Sequence, residues 1–311
     1  MATSRPPGQD PYALEHFPAS AGPQAALAAV PQPVHQVDVA DPSDPPRPGW
    51  FVASATGGNH LAQGLPNQDR GLGRELASGA LVFSVADGAG SRPRSACGAQ
   101  FAVEACVRAA DEVFGAGLLG NEYHVWLDAA RVFARRCLHG YDEEVYHHAR
   151  VVPVSDRPGV LPDWAYGCTL LSVVAAPPWF AVVSIGDGFL VVNRDSEGPR
   201  LLLPPPMDRE HSGITHFLSS SDREKHLVVL ALRDPQVSGV ALCTDGLAEG
   251  VLRFAPGAGG PLPYVPPEFG EYFRFVASTE GSQDGLTSKL AGPDFAVTSG
   301  DDKTMVIAAW R

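Results

Sequence analysis

Three apolar segments of the chain each run straight into the same dipeptide: residues 81–86 into Asp87-Gly88, 179–186 into Asp187-Gly188, and 239–244 into Asp245-Gly246. A fourth version is inverted, with Gly300-Asp301-Asp302-Lys303-Thr304 standing before the apolar run 305–310. Each places a carboxylate at the end of a buried strand. Such a carboxylate needs a partner, and no lysine or arginine adjoins Asp87, Asp187 or Asp245 in sequence. Asp-Gly alone is a common turn signal, because Gly tolerates positive φ and Asp bonds its own backbone. Three together, each closing a buried strand, point further. Strand ends that met would form a cage of hard oxygen ligands, the chemistry that holds magnesium or manganese.

The rest of the pattern limits the fold. A first strand is predicted over 50–56, a turn at Gly57-Gly58-Asn59, and a loop carrying Asn67-Gln68-Asp69 into a strand over 80–86. Ala99, Ala102, Val103, Cys106, Ala109, Ala110 and Val113 then fall on one helical stripe, with Ser95 as N-cap. A second helix opens near Asn121, bends or breaks at Gly140 and continues to about Arg150. Strands follow over 166–175, 179–186, 189–193, 200–203, 214–219, 226–232, 239–244 and 304–310, with 166–193 read as a three-strand meander. Residues 255–267 read as a Pro/Gly-rich surface loop, and 268–278 as a helix. Two helices inside a long series of antiparallel strands exclude a Rossmann alternation. The expected class is α+β: two stacked antiparallel sheets flanked by helices.

Composition bounds the function. The chain has 311 residues, 44% of them hydrophobic, enough for a full core. Residues 1–48, rich in Pro and Ala, read as a disordered N-terminal arm ahead of a catalytic domain at 49–311. No run approaches the roughly 18 apolar residues of a membrane span, and the N-terminus lacks a secretion-signal core, so a cytoplasmic protein is expected. Five scattered cysteines without a C-x-x-C pair suit reduced core thiols. A formal charge of −12 argues against nucleic acid or an anionic membrane as partner, and bound divalent cations would offset part of it. Nothing in the sequence signals an oligomeric state.

The order of the motifs adds a resemblance. Asn67-Gln68-Asp69, Val85-Ala86-Asp87-Gly88-Ala89-Gly90, Gly167-Cys168-Thr169, Ile185-Gly186-Asp187-Gly188, Cys243-Thr244-Asp245-Gly246 and Gly300-Asp301-Asp302-Lys303-Thr304 together resemble the metal-dependent Ser/Thr protein phosphatases of type 2C, in their compact bacterial branch. The similarity runs from about Trp50 to Trp310. It implies a four-layer αββα sandwich with two Mn2+ or Mg2+ ions at one end of the sheets and a third position beside them. By position, Asp87 would bridge both metals and the Gly88 carbonyl would ligate one. Asp245 and Asp301 would hold the other, and Asp69 would stand at the edge, as a metal ligand or in support of one. Asp187 would hold the third metal with Asp245, or be an ordinary turn. Asp87, Asp245 and Asp301 are thus the expected catalytic set. The implied reaction is attack on phosphoserine or phosphothreonine by a metal-bridging hydroxide, with no nucleophilic side chain. The substrate would be a phosphorylated protein, a kinase or its target, in bacterial signalling.

Departures from the family pattern leave a second reading open. Gln68 stands where a Glu is frequent, Gly64-Leu65-Pro66 lacks the phosphate-clamping Arg of eukaryotic members, and Ala89 replaces a His that serves there as proton donor. Phosphate contact would fall to His60, Arg92 or Arg94, or to the metals alone. The alternative is a regulatory pseudophosphatase that binds a signalling partner with little turnover. Other clusters read as surface. His147-His148 beside Asp142, Glu143 and Glu144 form a solvated helix end, since adjacent histidines face different ways. Asp208, Glu210, His211 and His216 lie in a variable segment that reads equally as a plain loop or a substrate-facing one.

Overall fold

The computed structural model describes residues 49–117, 119–152, 163–206, 215–257 and 260–310. The expected N-terminal arm lies outside them. In chain order, β1 (Gly49–Ala55) leads through α1 (Gly58–Gln63) to β2 (Arg70–Glu75) and β3 (Leu81–Ala86). Two long helices follow, α2 (Ser95–Phe114) and α3 (Tyr123–Val151). The chain then forms β4 (Leu170–Ala176), β5 (Trp179–Ile185), β6 (Phe189–Arg194) and β7 (Gly198–Leu203), and a single turn of helix α4 (Arg223–His226). After β8 (Val228–Arg233) and β9 (Val237–Cys243) come α5 (Ala248–Val251) and a small hairpin, β10 (Arg253–Ala255) with β11 (Leu262–Tyr264). Helices α6 (Gly270–Ala277), α7 (Gln283–Leu290) and α8 (Pro293–Ala296) precede the last strand, β12 (Lys303–Ala309).

The strands make two five-stranded antiparallel sheets, in the orders β1-β12-β9-β6-β7 and β2-β3-β4-β5-β8. Their inner faces meet in a dry layer. Leu81, Phe83, Val85, Leu171, Val173 and Val182 of one sheet pack against Leu190, Val240, Leu242 and Val306 of the other. On β3 the alternate residues Val82 and Ala86 face outward, into a core shared with Ala102, Cys106 and Phe133 of α2 and α3. The outer face of the first sheet packs on Phe273 and Val276 of α6 and Leu286 and Leu290 of α7. Both faces of each sheet are therefore buried, which is why β3, β4 and β5 read as nearly unbroken apolar runs. The expected αββα sandwich is the architecture found. All five cysteines are free and four of them are buried, as the spacing implied.

Several expectations needed correction. Residues 166–193 are not a meander: β4 pairs with β5, but β6 leaves for the other sheet and pairs with β9. Gly186 turns the chain at φ +102, and a β-carbon there would lie 2.5 Å from the Thr169 side chain. The Asp187-Gly188 unit is consequently the crossover between the sheets. Gly140 does not break α3, which runs uninterrupted for 29 residues. A β-carbon at Gly140 would stand 3.2 Å from that of Ala105, so the glycine allows close approach of α2, and that packing outweighs its weak helix propensity. Residues 215–219 form no strand, and 214 lies outside the described residues. The 255–267 loop contributes to the small β10–β11 hairpin, and α1 replaces the turn expected at 57–59. Ser95 opens α2 as its first helical residue, not as a capping side chain; its hydroxyl donates to Gln68 Oε1 at 3.1 Å.

Candidate metal centre

The carboxylates are delivered by the ends of strands from both sheets. Asp87 follows β3, and its backbone is clamped by Thr169: the Asp87 N–H donates to Thr169 Oγ1 at 3.0 Å, and the Thr169 N–H donates to the Asp87 carbonyl at 2.8 Å. Asp187 lies on the β5–β6 crossover, and Asp245 opens a 3-10 turn directly after β9. Oxygens from Asp87, Asp187 and Asp245 all lie within 4.8 Å of one another. The three Asp-Gly carboxylates thus meet at one end of the sandwich.

Two more acids stand around this trio. Asp69 is buried just before β2, where its Oδ2 accepts the Thr244 hydroxyl at 2.8 Å. Asp301 precedes β12 and is exposed, but its charge acts on both Asp87 and Asp245. Asp302, next to it, is only 2% exposed and serves differently. Its Oδ1 accepts the Gly57 N–H at 2.7 Å, and its Oδ2 accepts the Gln68 N–H at 2.6 Å and meets His60 Nδ1 at 2.9 Å. This one carboxylate fixes both ends of the 57–68 segment on which Asp69 depends. Lys303 is buried as well, and its ammonium donates to the carbonyls of Ser299 and Asp301, not to the carboxylate trio.

The electrostatics follow from crowding. Burial, then the charges of Asp87, Asp187 and Asp301, push Asp245 up to about 8. Burial raises Asp69 to about 7, against hydrogen bonds from Asp87 and Thr244. Asp87 is held well above the usual carboxylate range by burial and by Asp69, to which it is hydrogen-bonded. Without cations, the folded chain keeps such groups together by retaining protons. Divalent ions would take the place of those protons.

One atom tests whether metal fits. Asp187 Oδ2 accepts the Thr215 hydroxyl at 2.7 Å, whereas Oδ1 is buried and has no hydrogen-bond partner among the described residues. An unpartnered carboxylate oxygen in an oxygen-rich cluster is the donor a hard cation requires. Two glycines clear the surroundings. A β-carbon on Gly88 would lie 2.7 Å from the Gln68 carbonyl oxygen, and one on Gly246 would lie 1.9 Å from that of Asp302. The donor set and the space fit divalent cations.

The residues considered for phosphate contact are drawn to other partners. His60 is tied to Asp302. Arg92 lies over the Trp164 ring, with its guanidinium carbon 5.7 Å from the centroid. Arg94 lies over Tyr166 and donates to its hydroxyl at 3.2 Å. His148, read from sequence as part of a solvated helix end, is half-buried and meets the same Tyr166 hydroxyl at 2.8 Å. Asp142 pairs with Arg223. Asp208, Glu210 and His211 lie outside the described residues. Sequence reading missed the anchoring role of Asp302; the doublet Asp301-Asp302 was its signal, since neighbours entering a strand point to opposite faces.

Comparison with known proteins agrees with this architecture. The family model described as Protein phosphatase 2C matches residues 56–292, and the chain belongs to that family. It is a metal-dependent Ser/Thr protein phosphatase of type 2C, whose substrates are phosphoproteins. The chain is 28% identical over 270 residues to serine/threonine-protein phosphatase 3 of Escherichia coli (strain K12), covering 83% of this chain and 96% of that protein. Among solved structures, the Ser/Thr phosphatase Stp1 of Staphylococcus aureus superposes with a TM-score of 0.56 at 16% identity, over 86% of this chain and 96% of that one. The catalytic domain of the Ser/Thr phosphatase PstP, solved with 2 manganese ions, gives a TM-score of 0.50 at 16% identity, over 84% and 96%. These two likenesses show the fold. The pseudophosphatase reading is not favoured.

Proposed function

We propose that Asp87, Asp187 and Asp245 are the centre of a site for Mn2+ or Mg2+ that hydrolyses phosphoserine and phosphothreonine in proteins. The observation that carries the proposal is the meeting of three carboxylates within 4.8 Å, with the buried Oδ1 of Asp187 unpartnered. Asp87 with the Gly88 carbonyl, Asp245 with Asp301, and Asp187 are the residues that would hold the ions. Asp69 supports the centre from its buried side through Thr244. When bound, the cations supply Lewis-acid charge that acidifies a water and neutralises the phosphate.

The chain's own residues have separate tasks. Thr169 fixes the direction of Asp87 through two backbone-centred hydrogen bonds. Asp302 holds the 57–68 segment by accepting the Gly57 and Gln68 N–H groups. His60 is hydrogen-bonded to Asp302 and Arg94 to Tyr166, whereas Arg92 only lies over the Trp164 ring, so Arg92 is the one of the three assigned to phosphate contact. Its side chain lies against Gly167, where a β-carbon would be 3.2 Å from Cγ. The two-manganese complex of PstP supports manganese as the ion and two as the count. A cytoplasmic phosphoprotein of a bacterial kinase pathway is the substrate in this reading, and residues 49–311 are its catalytic domain. The test is turnover of a phosphothreonine peptide with Mn2+, with Mg2+ and after chelation. Activity that survives complete chelation would overturn the assignment.

A further inference from the structure

A second metal-ligating cluster lies outside the acidic centre. His216, Asp222 and His226 each offer one ligand atom, and these atoms lie within 4.8 Å of one another. Asp222 and His226 are one helical turn apart, at the start and end of α4, so their side chains share a face. Asp222 Oδ2 and His226 Nε2 are 3.2 Å apart. That contact alone is an exposed ion pair of small worth. His216 is what such a pair does not explain. It arrives from ten residues earlier, and its ring lies parallel to that of His226 with centroids 3.3 Å apart and planes 9° apart. Turned out of this stack, so that the plane of each ring contains the ion, the two imidazoles would present a nitrogen each to one cation.

The scaffold beneath the cluster is well fixed. Leu218 is fully buried and its N–H donates to the Cys168 carbonyl at 2.8 Å. Ser220 Oγ accepts the Phe217 N–H at 3.0 Å. Arg223 donates to both oxygens of Asp142 on α3 and to the Leu218 carbonyl. These contacts hold 217–223 on α3 and leave His216 and His226 on the free side, both half-buried, beside an exposed Asp222.

We propose that His216, Asp222 and His226 form a binding site for a borderline divalent transition ion of the Zn2+ class, distinct from the acidic centre. The donor set decides the ion. Two imidazoles and one carboxylate suit zinc or cobalt, whereas Mg2+ and Mn2+ favour the all-oxygen set at Asp87. Donor atoms around a tetrahedral zinc stand about 3.3 Å apart for ligand bonds of about 2.0–2.1 Å, and the Asp222–His226 contact already has that separation. Three protein ligands leave a fourth position for water. The site also adjoins the centre, because Thr215, the residue before His216, holds Asp187.

The experiment is titration of the full chain with Co2+, whose visible bands are strong in a four-coordinate site containing nitrogen and weak in an octahedral oxygen site. Strong bands are expected in the unaltered chain and in Asp87→Asn, where the acidic centre is disabled. In His226→Gln and His216→Gln, affinity for this ion should fall by about a hundredfold or more, beyond the range that loss of an outer-shell partner produces. Absence of strong bands in the unaltered chain, or their persistence at equal affinity in both histidine variants, overturns the site. A second measurement needs no variant. Zn2+ should protect His216 and His226 from diethyl pyrocarbonate while the exposed His124 and His139 react as before. Equal reactivity with and without Zn2+ also overturns it.

Discussion

The Thr215 hydroxyl holds Oδ2 of Asp187 at 2.7 Å and leaves Oδ1 of the same carboxylate buried without a partner. One hydrogen bond therefore aims a carboxylate whose other oxygen has no hydrogen-bond partner among the described residues. Thr215→Val should raise the Mn2+ concentration needed for half-maximal activity by about tenfold, as loss of an outer-shell partner does, with turnover at saturating Mn2+ little changed. A Mn2+ titration of phosphatase activity checks it; an unchanged midpoint would show that Asp187 takes no part in holding metal.

Asp87 takes charge from three acids at once and lies in the middle of the proposed centre. Asp87→Asn should lower Mn2+-dependent turnover of p-nitrophenyl phosphate on the order of a thousandfold, since charge stabilisation of the reacting phosphate is lost. The metal-free protein should lose no stability, because burial and the neighbouring acids already disfavour the charged form of Asp87 and the amide relieves that crowding. Full turnover in this variant would sink the assignment.

Neighbouring acids should behave in opposite ways. Asp302 accepts two backbone N–H groups while buried, so Asp302→Asn should cost about 1–3 kcal/mol by leaving a donor unsatisfied. Asp301 is exposed, so Asp301→Asn should leave the unfolding midpoint unchanged and weaken the response to Mn2+. Chemical denaturation alongside a metal titration separates the two, and equal destabilisation by both would contradict the structure.

Metal-free stability should depend on pH in a definite direction. Asp69 and Asp245 have an ordinary value of 3.8 and are raised to about 7 and about 8 in the folded chain. The folded state therefore holds protons that the unfolded chain has already released. Their contribution is complete below the ordinary value and is lost as pH rises through about 7 and about 8. Melting temperature in chelator should fall between about pH 4 and about pH 8, and saturating Mn2+ should flatten that slope. A rising midpoint in chelator is the outcome that contradicts the crowding of these acids.

Gly246 is required by contact and not by backbone conformation. A β-carbon there would lie 1.9 Å from the Asp302 carbonyl oxygen, so Gly246→Ala must push β12 from the turn after β9. The expected cost is about 1–3 kcal/mol, the range for overpacking, together with weaker Mn2+ binding because Asp245 moves with its neighbour. Thermal unfolding with and without Mn2+ measures both.

Much of the site was legible in the chain because it depends on local chemistry. The apolar runs ending in Asp-Gly identify strand ends that carry carboxylates, and the motif order identifies the family. Period-two alternation could not show which sheet a strand joins, since β5 and β6 are both buried on two faces and look alike in sequence. Nor could it separate Asp301 from Asp302, whose difference is that one faces the buried N–H groups of Gly57 and Gln68.

What the sequence by itself determined is the αββα class, the strand ends that bear Asp87, Asp187 and Asp245, and the family to which the chain belongs. Tertiary structure alone decided that the Asp187 turn is a crossover between sheets and not a hairpin tip. It also decided that His216 stacks on His226, and that Arg94 belongs to Tyr166. Each of these outcomes is a meeting of residues from separate elements, chosen by packing and by the pairing of polar groups, and local propensity carries no information about such meetings.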